Sequence, residues 1–273
     1  MWVKPILLAA GLAAGLFLLI VYTKAASHDR HWQPHLGKVP QVDQSGDIVR
    51  ITPIRDWTYS TQQALQTAWV SEGVSIDLSA LKQVWFVVEP HHGIPMMAHT
   101  LVLFEFDDGD LIGLTIEARK QIHETYNPVA GAFRRYELIY VWAEPRDLLT
   151  RRAVMLDHEL YIYPLDLSRA QARAYLEGLV ERTAEIERRP RFYNTLISNC
   201  TNELAKSAGL AWQPAFVLTG RSAEALHRAG YISASEFEDA RASADMTEAV
   251  QMLVDASVRD FNTGLLSALS ARP

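Results

Sequence analysis

The sequence predicts an α+β protein preceded by one N-terminal transmembrane helix. An unbroken apolar run opens the chain, and its middle part contains short β-branched and aromatic runs separated by turn residues. The C-terminal half instead carries apolar residues at helical spacing. Strand candidates therefore come before helix candidates, which is typical of the α+β class.

Composition limits the function classes. The chain has 273 residues, enough for one sizeable domain and an anchor. Its formal net charge is -6, so a nucleic-acid partner, which needs a basic face, is not expected. Contact with a membrane must come from apolar surface. The single cysteine, Cys200, excludes an internal disulfide and leaves an inert buried residue, an intermolecular link or a reactive thiol.

Residues 1–27 are predicted to be a transmembrane anchor. The run 5–21 (PILLAAGLAAGLFLLIV) has no charged residue and, with its flanks, reaches across a hydrocarbon core of ~30 Å. The alternative is a signal peptide cleaved near residues 25–27 (AAS). The length of the run and the closeness of Lys24 to that cut favour an uncleaved anchor. Both alternatives place the rest of the chain outside the cytoplasm.

The next segments are assigned by pattern. Residues 28–56 are expected to be polar and irregular, residues 89–97 (EPHHGIPMM) a loop, and residues 120–135 a long loop. An Asp-Gly pair at 108–109 predicts a hairpin in which residue 107 pairs with 110. The strand candidates are residues 81–89, 99–106, 111–119, 136–142 and 159–163.

Helices are predicted for the C-terminal half. One covers about residues 168–189 and is closed by Pro190. In the next, Asn199 is a good N-cap and Cys200 takes the first helical position. Short amphipathic helices at 222–229, 233–243 and 246–258 form a helical extension, residues 216–273, after a thiol domain at residues 28–215.

The position of Cys200 points to chemistry. At a helix N-terminus the unpaired backbone N–H groups and the macrodipole favour thiolate, and the same amides can hold an oxyanion. A nucleophile also needs a base, and His99 is the best candidate because it opens a strand directly after a loop. The ordinary alternatives are that Cys200 is a small buried residue and that His99 is a polar residue at a strand edge.

From Asp29 to about Gly209 the chain resembles the Lnb N-terminal periplasmic domain family. The segments that carry the resemblance are residues 95–106 (PMMAHTLVLFEF), 116–120 (IEARK), 133–140 (FRRYELIY) and 192–201 (FYNTLISNCT). The resemblance implies a permuted papain-like, NlpC-type fold with a central antiparallel sheet and packed helices. In such folds a Cys at a helix start faces a His at a strand start. The order here, His99 before Cys200, is the permuted one.

The resemblance places a third, ring-orienting residue on strand 111–119, where Glu117 is the polar choice. A simple hairpin turning at 108–109 places residue 99 opposite 118. Glu117 then points to the other face unless a bulge shifts the register. Arg119 is the alternative, in a structural or substrate-contacting role.

Other polar residues complete the predicted site. Arg134 and Arg135 are candidates for binding a lipid phosphate, or else for capping carbonyls or pairing with carboxylates. Asn199 is a candidate substrate contact beside its capping role. The spacing of His91, His92 and His99 matches no usual zinc pattern, so neither metal nor cofactor is expected.

For activity, the resemblance implies acyl transfer: proteins of this type N-acylate lipoproteins, with a phospholipid as acyl donor and a Cys thioester as intermediate. The resemblance also implies a periplasmic domain, and the apolar run 5–21 predicts a single-pass anchor that holds it in the bacterial inner (cytoplasmic) membrane. The acyltransferases carry a membrane-spanning region after this domain, whereas residues 210–273 here contain no stretch long enough to span a membrane. This difference puts lipoprotein acylation in question. The alternatives are a cysteine peptidase or amidase acting on envelope peptides, and a non-catalytic envelope binding protein.

Overall fold

The computed structural model describes residues 3–272, without the side chains of residues 3–5, 9–10, 14, 17–18 and 20. Helix α1 (Val3–Thr23) covers most of the predicted anchor, which thus lies partly outside the described residues. Among the described residues, no helix is both long enough and apolar enough to cross a membrane.

The strands form two sheets. In chain order they are β1 (Gln41–Ser45), β2 (Ile48–Thr52), β3 (Ile54–Tyr59), β4 (Ala64–Val70), β5 (Val74–Asp77), β6 (Leu81–His91), β7 (Ile94–Phe106), β8 (Leu111–Arg119), β9 (Glu137–Ala143) and β10 (Tyr161–Pro164). The large sheet has seven strands in the order β10-β6-β7-β8-β9-β3-β4, and β1-β2-β5 form a small one. Neighbours in the large sheet are antiparallel except β9 and β3.

In chain order the helices after α1 are α2 (Pro128–Gly131), α3 (Pro145–Thr150), α4 (Arg169–Arg188), α5 (Cys200–Ser207), α6 (Ser222–Arg228), α7 (Phe237–Ala244), α8 (Thr247–Met252) and α9 (Val258–Ser270). The helices predicted from about residue 168, from Cys200 and from 222 are confirmed, whereas α2, α3 and α9 were not predicted, and the helix predicted at 246–258 ends at Met252. A π-helical turn, Arg151–Met155, continues α3. Ser168 caps α4 in a capping box with Gln171, so this helix starts where the sequence predicts it.

The central hairpin β6–β7 is buried on both faces because side chains alternate along a strand. Val102 and Phe104 point to the face that α4 and α5 cover. Leu101 and Leu103 point to the face that α3, α8 and α9 cover, where Phe261 of α9 is fully buried. Burial of each such side chain stabilises the fold by ~1.5–3 kcal/mol. The C-terminal helices are therefore part of the same packed core.

Two predictions for irregular segments are wrong. Residues 28–56 contain β1, β2 and the first half of β3; the prolines and the glycine of this segment obscured the alternating burial of β2 and β3. Residues 89–97 are not a loop but the far end of the β6–β7 hairpin, which turns at 92–93. Gly93 supplies the left-handed conformation that this turn requires (φ +73°).

The β7–β8 hairpin has a three-residue loop, residues 107–109. Phe106 N–H donates to Asp110 O at 3.0 Å, and Gly109 N–H donates back to Phe106 O at 3.0 Å. The predicted pairing of 107 with 110 is therefore wrong by one residue; Gly109 takes a left-handed conformation (φ +84°) that closes the longer loop. Leu101 pairs with Thr115, and continuing this register places His99 on the same face as Glu117.

Residues 28–37 pack onto the sheet through Arg119, which is buried. Its guanidinium lies 4.3 Å from the ring centroid of Trp32. It also donates hydrogen bonds to Leu36 O at 2.8 Å and Gly37 O at 2.9 Å. Of the two roles predicted for Arg119, these contacts correspond to the structural one.

Candidate active site

Cys200 begins α5, as predicted. The Asn199 side chain accepts the Asn202 backbone N–H at 2.8 Å, which is the N-cap that the sequence indicated. Cys200 is thus the first helical residue, where backbone amides lack partners within the helix. The thiol is buried, with only 6% of the residue exposed.

Glu203, one turn along α5, fixes this helix start to the sheet. Its carboxylate is fully buried and accepts hydrogen bonds from Tyr140 on β9 at 2.9 Å and from Ser198 at 2.6 Å. Burial raises the pKa of this carboxyl, but hydrogen bonds from Lys206 and Ser198 outweigh burial and lower it. A charged Glu203 therefore holds the N-terminus of α5 against the strands.

His99 and Cys200 line one pocket, close enough that each shifts the pKa of the other. The expectation that His99 opens a strand is wrong, because β7 begins at Ile94. His99 lies instead two residues beyond the last described pair with β8, Leu101 with Thr115. Beyond that pair, β7 is no longer paired with β8, and the imidazole lies on the side of α5.

The thiol is poised for ionisation. Burial raises the pKa of Cys200, but the His99 imidazolium, its hydrogen bond and hydrogen bonds from Thr100 more than offset burial. Together they lower the pKa from 9.0 to about 7. A substantial fraction of the thiol is thus deprotonated at neutral pH, as a nucleophilic cysteine requires.

The other side of the His99 ring faces a short hydrogen-bonded chain. Nε2 lies 2.6 Å from the Thr115 hydroxyl oxygen, and that hydroxyl donates to Glu117 Oε1 at 2.9 Å. The direct distance from Nε2 to Glu117 Oε1 is 3.3 Å. With Nε2 occupied, Nδ1 is the nitrogen left to face the thiol. Burial lowers the pKa of His99, but Glu117 and Cys200 outweigh burial and raise it.

Sequence reasoning missed Thr115. Its signal was present: it stands two residues before Glu117, hence on the same strand face, in the otherwise apolar start of β8. Because its hydroxyl accepts from the ring and donates to the carboxylate, Thr115 links the two predicted residues.

Arg152 was also missed. Its buried guanidinium lies 3.3 Å from Glu117 Oε1 and 2.7 Å from Glu89 Oε2, and it donates to Leu148 O at 2.7 Å. Glu89 in turn contacts His158 Nδ1 at 2.6 Å. Burial raises the pKa of Glu117, but His99 and Arg152 hold it well below its usual range. The carboxylate behind the imidazole is therefore charged and fixed.

The pocket that contains the thiol has a volume of about 280 Å³. Besides Cys200 and His99, three cationic side chains line it: Arg152, which is paired with Glu89 and Glu117, and also Lys120 and Arg151. Its further titratable lining residues are Glu89, His91, Glu117, Tyr126, His158 and Tyr193.

The predicted substrate-binding residues lie in different places. Asn199 lines the pocket, but its amide is engaged in the helix cap and donates to Thr195 O and Phe216 O, both at 2.8 Å. Arg134 stacks on Tyr22 at the end of α1, with 4.7 Å from its guanidinium to the ring centroid.

Arg135 forms an ion pair with Glu124 at 2.9 Å. Neither Arg134 nor Arg135 lines the thiol pocket. The structure therefore brings Cys200, His99, Glu117 and Asn199 together and leaves the two arginines outside.

A second, mostly apolar cavity of about 330 Å³ lies on the other side of α5. Thr201 borders both regions: it lines this cavity, and its hydroxyl oxygen lies 3.8 Å from Cys200 Sγ. The apolar residues of the lining are Phe86, Leu165, Leu167, Ala174, Leu204, Ala205, Ala208, Leu210, Phe216 and Leu226.

Exposed apolar side chains surround the loop that precedes Cys200. Leu196 is 52% and Ile197 is 59% exposed. Trp212, also exposed, donates to Leu196 O at 3.0 Å, and Thr195 donates to Pro128 O at 2.7 Å. Exposed Val129 and Phe133 flank the contact at Pro128. These five residues, Val129, Phe133, Leu196, Ile197 and Trp212, are called the apolar rim below.

Fold and site together define a class: an α+β domain with a buried Cys–His pair at the N-terminus of a helix. The chain belongs to the Lnb N-terminal periplasmic domain family, whose model matches residues 69–229. That range contains the thiol, the imidazole and the groups behind it, and the family places the globular domain in the periplasm. Searches of functionally curated proteins and of solved structures found no match.

Proposed function

We propose that this protein is an envelope thiol enzyme that transfers acyl groups from phospholipids through a thioester on Cys200. The observation that carries the proposal is the shared pocket of Cys200 and His99, in which each shifts the pKa of the other, with Thr115 and Glu117 behind the ring. This order of groups corresponds to the permuted papain-like arrangement, which we propose for the fold as well.

In the first half-reaction the Cys200 thiolate attacks the carbonyl carbon of an acyl ester. Backbone amides at the start of α5 stabilise the oxyanion. The tetrahedral intermediate collapses, the C–O bond breaks, and the His99 imidazolium gives its proton to the leaving alkoxide. A thioester and a lysophospholipid result.

In the second half-reaction an acceptor amine of a lipoprotein or peptide attacks the thioester carbonyl. His99 removes a proton from the amine, the C–S bond breaks, and the amide product leaves with the acyl group. The thiolate and imidazolium are thereby regenerated. Glu117 remains ionised throughout and holds the ring through Thr115.

Two surfaces favour a lipid substrate over a peptide. The apolar cavity beside Thr201 suits an acyl chain better than a polar peptide stem. The apolar rim next to Cys200 suits the acyl region of a bilayer.

We also propose that α1 anchors the protein as a single span in the inner membrane. Arg134 donates to Tyr22 O at 2.9 Å, so the end of α1 lies beside the loops that carry the rim. The intact N-terminus is expected to stay with the membrane fraction after alkaline carbonate extraction, measured by immunoblot and N-terminal sequencing. Soluble mature protein starting near Ala26 would contradict the anchor.

Mass spectrometry tests the chemistry. Incubating the full chain with phospholipid should add one fatty-acyl mass to the peptide containing Cys200, removable by neutral hydroxylamine. Cys200→Ala should give no adduct. Cys200→Ser should give at most a slowly formed oxygen ester that resists hydroxylamine. His99→Ala should slow adduct formation at least ~100-fold, since a positioned acid–base group contributes that much.

Other outcomes select other functions. Cleavage of an envelope peptide that depends on Cys200, without an adduct from any phospholipid, would assign the domain to the peptidases or amidases. Inertness in both assays, with Cys200 unreactive toward alkylation at neutral pH, would leave an envelope binding protein.

A further inference from the structure

We propose that Lys120 and Arg151 form an anion-binding subsite in the thiol pocket, which holds the phosphodiester of a glycerophospholipid while its acyl ester faces Cys200. This proposal rests on the proposed function for the identity of the ligand. The binding of an anion beside the thiol can be tested separately.

The first argument is the balance of charges around the pocket. The carboxylates that line it, Glu89 and Glu117, are engaged by Arg152, His158 and His99. Within the described part of the chain, neither Lys120 nor Arg151 forms an ion pair with a carboxylate. Two positive charges are thus left over in a partly buried pocket.

The second argument is burial. Both side chains are half-buried, and burial lowers the pKa of Lys120 and of Arg151; the charge of Arg151 lowers the pKa of Lys120 further, and Arg152 and Arg55 lower that of Arg151. Glu117 offsets this only in part, from beyond ion-pair distance. An anion between the two cations relieves both costs, because charges in a partly dry pocket interact more strongly than in water.

The third argument is rigidity. Lys120 follows directly on β8, the strand that carries Thr115 and Glu117. Arg151 opens the π-helical turn that leads into Arg152. The backbone of both residues is therefore fixed relative to the imidazole. A guanidinium fork and a mobile ammonium are the two side chains that bind phosphate oxygens best.

A phosphodiester fits this position. It keeps one negative charge at periplasmic pH, and in a glycerophospholipid it lies only a few bonds from the acyl esters. The apolar cavity beyond Thr201 then lies on the side of the acyl chain. A neutral acyl ester would leave both cations without a partner.

The test compares two nearly isosteric alkylating agents on the full chain in detergent, anionic iodoacetate and neutral iodoacetamide. The ratio of their rates at Cys200 reports the local potential without requiring acyl transfer. Lys120→Met and Arg151→Met should each lower this ratio at least roughly threefold, and the double variant about tenfold. Lys82→Met and Arg169→Met, exposed cations at the far end of the sheet, should leave it unchanged.

An unchanged ratio in both pocket variants, with intact folding by circular dichroism, would overturn the subsite. Should either variant fail to fold, Lys120→Gln and Arg151→Gln replace them. The ligand is assigned by protection of Cys200 from iodoacetamide. A short-chain phosphatidylglycerol should protect the wild type and not the double variant, whereas protection by an acetylated dipeptide carboxylate alone would overturn the lipid assignment.

Because the alkylation ratio is independent of thioester formation, the two proposals fail separately. If the wild type forms no acyl adduct but its alkylation ratio depends on Lys120 and Arg151, the anion subsite is supported and the phospholipid acyl donor is excluded. An adduct that forms equally fast in wild type and double variant would retain acyl transfer and remove the subsite.

Discussion

At the scale of single residues, the imidazole of His99 is oriented by two oxygens rather than one. Thr115 accepts from Nε2 at 2.6 Å and donates to Glu117, whose own distance to Nε2 is 3.3 Å. The carboxylate therefore acts on the ring partly through the hydroxyl. Arg152 in turn fixes the carboxylate, so the charge on His99 depends on a buried network of three side chains.

Glu117→Gln should raise the pKa of the Cys200 thiol. Glu117 raises the pKa of His99, and the imidazolium is what lowers the pKa of Cys200 against burial. Without the carboxylate the imidazolium forms at lower pH, so thiolate appears only above the wild-type midpoint of about 7. Alkylation at pH 7 should slow several-fold, measured with iodoacetamide from pH 5 to 10.

Glu177→Gln, which changes a partly exposed carboxylate on α4, should leave that alkylation profile unchanged. Thr115→Val should move the midpoint in the same direction as Glu117→Gln but less, because Glu117 keeps its direct contact with the ring. A Glu117→Gln profile that superimposes on the wild type would show that the carboxylate does not act on the thiol.

At the scale of elements, the short segment around Thr219 substitutes for a missing strand. Where β7 runs beyond its pairing with β8, Ala98 presents its N–H and C=O to Thr219. The hydroxyl accepts from Ala98 N–H at 2.8 Å and donates to Ala98 O at 2.6 Å. The residue before His99 is thus held by one side chain.

Thr219→Val should lower the free energy of unfolding by ~1–3 kcal/mol, because it leaves a buried N–H and C=O without their partner. Thermal unfolding measures this loss. Thr263→Val, which removes an exposed hydroxyl bond on α9, is the isosteric control and should change little. If β7 shifts with the loss, the alkylation midpoint of Cys200 should rise as well; equal melting temperatures for both variants would refute the clamp.

The elements that could be predicted are those whose structure is determined by their own local sequence. The strand 111–119 and the helix start at Asn199–Cys200 follow from alternation and capping, and both are confirmed. The hairpin register did not follow, since an Asp-Gly pair fits a two-residue or a three-residue loop equally well. One residue of register decides whether Glu117 faces His99, so this site could be predicted only as an alternative.

The groups that complete the site could not be predicted because they come from distant elements. Arg152 and Arg151 approach from the turn after α3, and nothing in their neighbouring sequence indicates which strand they contact. The pair Arg134 and Arg135 looked equally suitable from the sequence. Only the packing of the loops shows that this second pair faces α1 and Glu124.

At the scale of the whole molecule, the globular domain begins earlier than its first strand. His28 lies 2.8 Å from Ile186 O at the end of α4, and Arg30 forms an ion pair with Glu137 at 2.8 Å. Leu36 is fully buried. These contacts tie the segment after α1 to both the sheet and the helical layer.

Two truncations should therefore behave differently. Removing residues 1–27 should leave a domain that melts within a few degrees of the full chain. Removing residues 1–37 takes away the buried Trp32 and Leu36 and leaves the Arg119 guanidinium without its carbonyl partners. Lost apolar burial and the lost hydrogen bonds of a charged guanidinium together cost at least ~4 kcal/mol, enough to unfold a marginal domain.

The measurement is thermal unfolding of both truncated proteins after secretion to the periplasm, with protease resistance as a second readout. The shorter protein should unfold at a much lower temperature or fail to accumulate. Arg119→Met within the protein lacking residues 1–27 separates the two causes, since it removes the charge and keeps Trp32 and Leu36 in place. Equal stability of the two truncations would mean that residues 28–37 are only a tether, and that the domain core is complete without them.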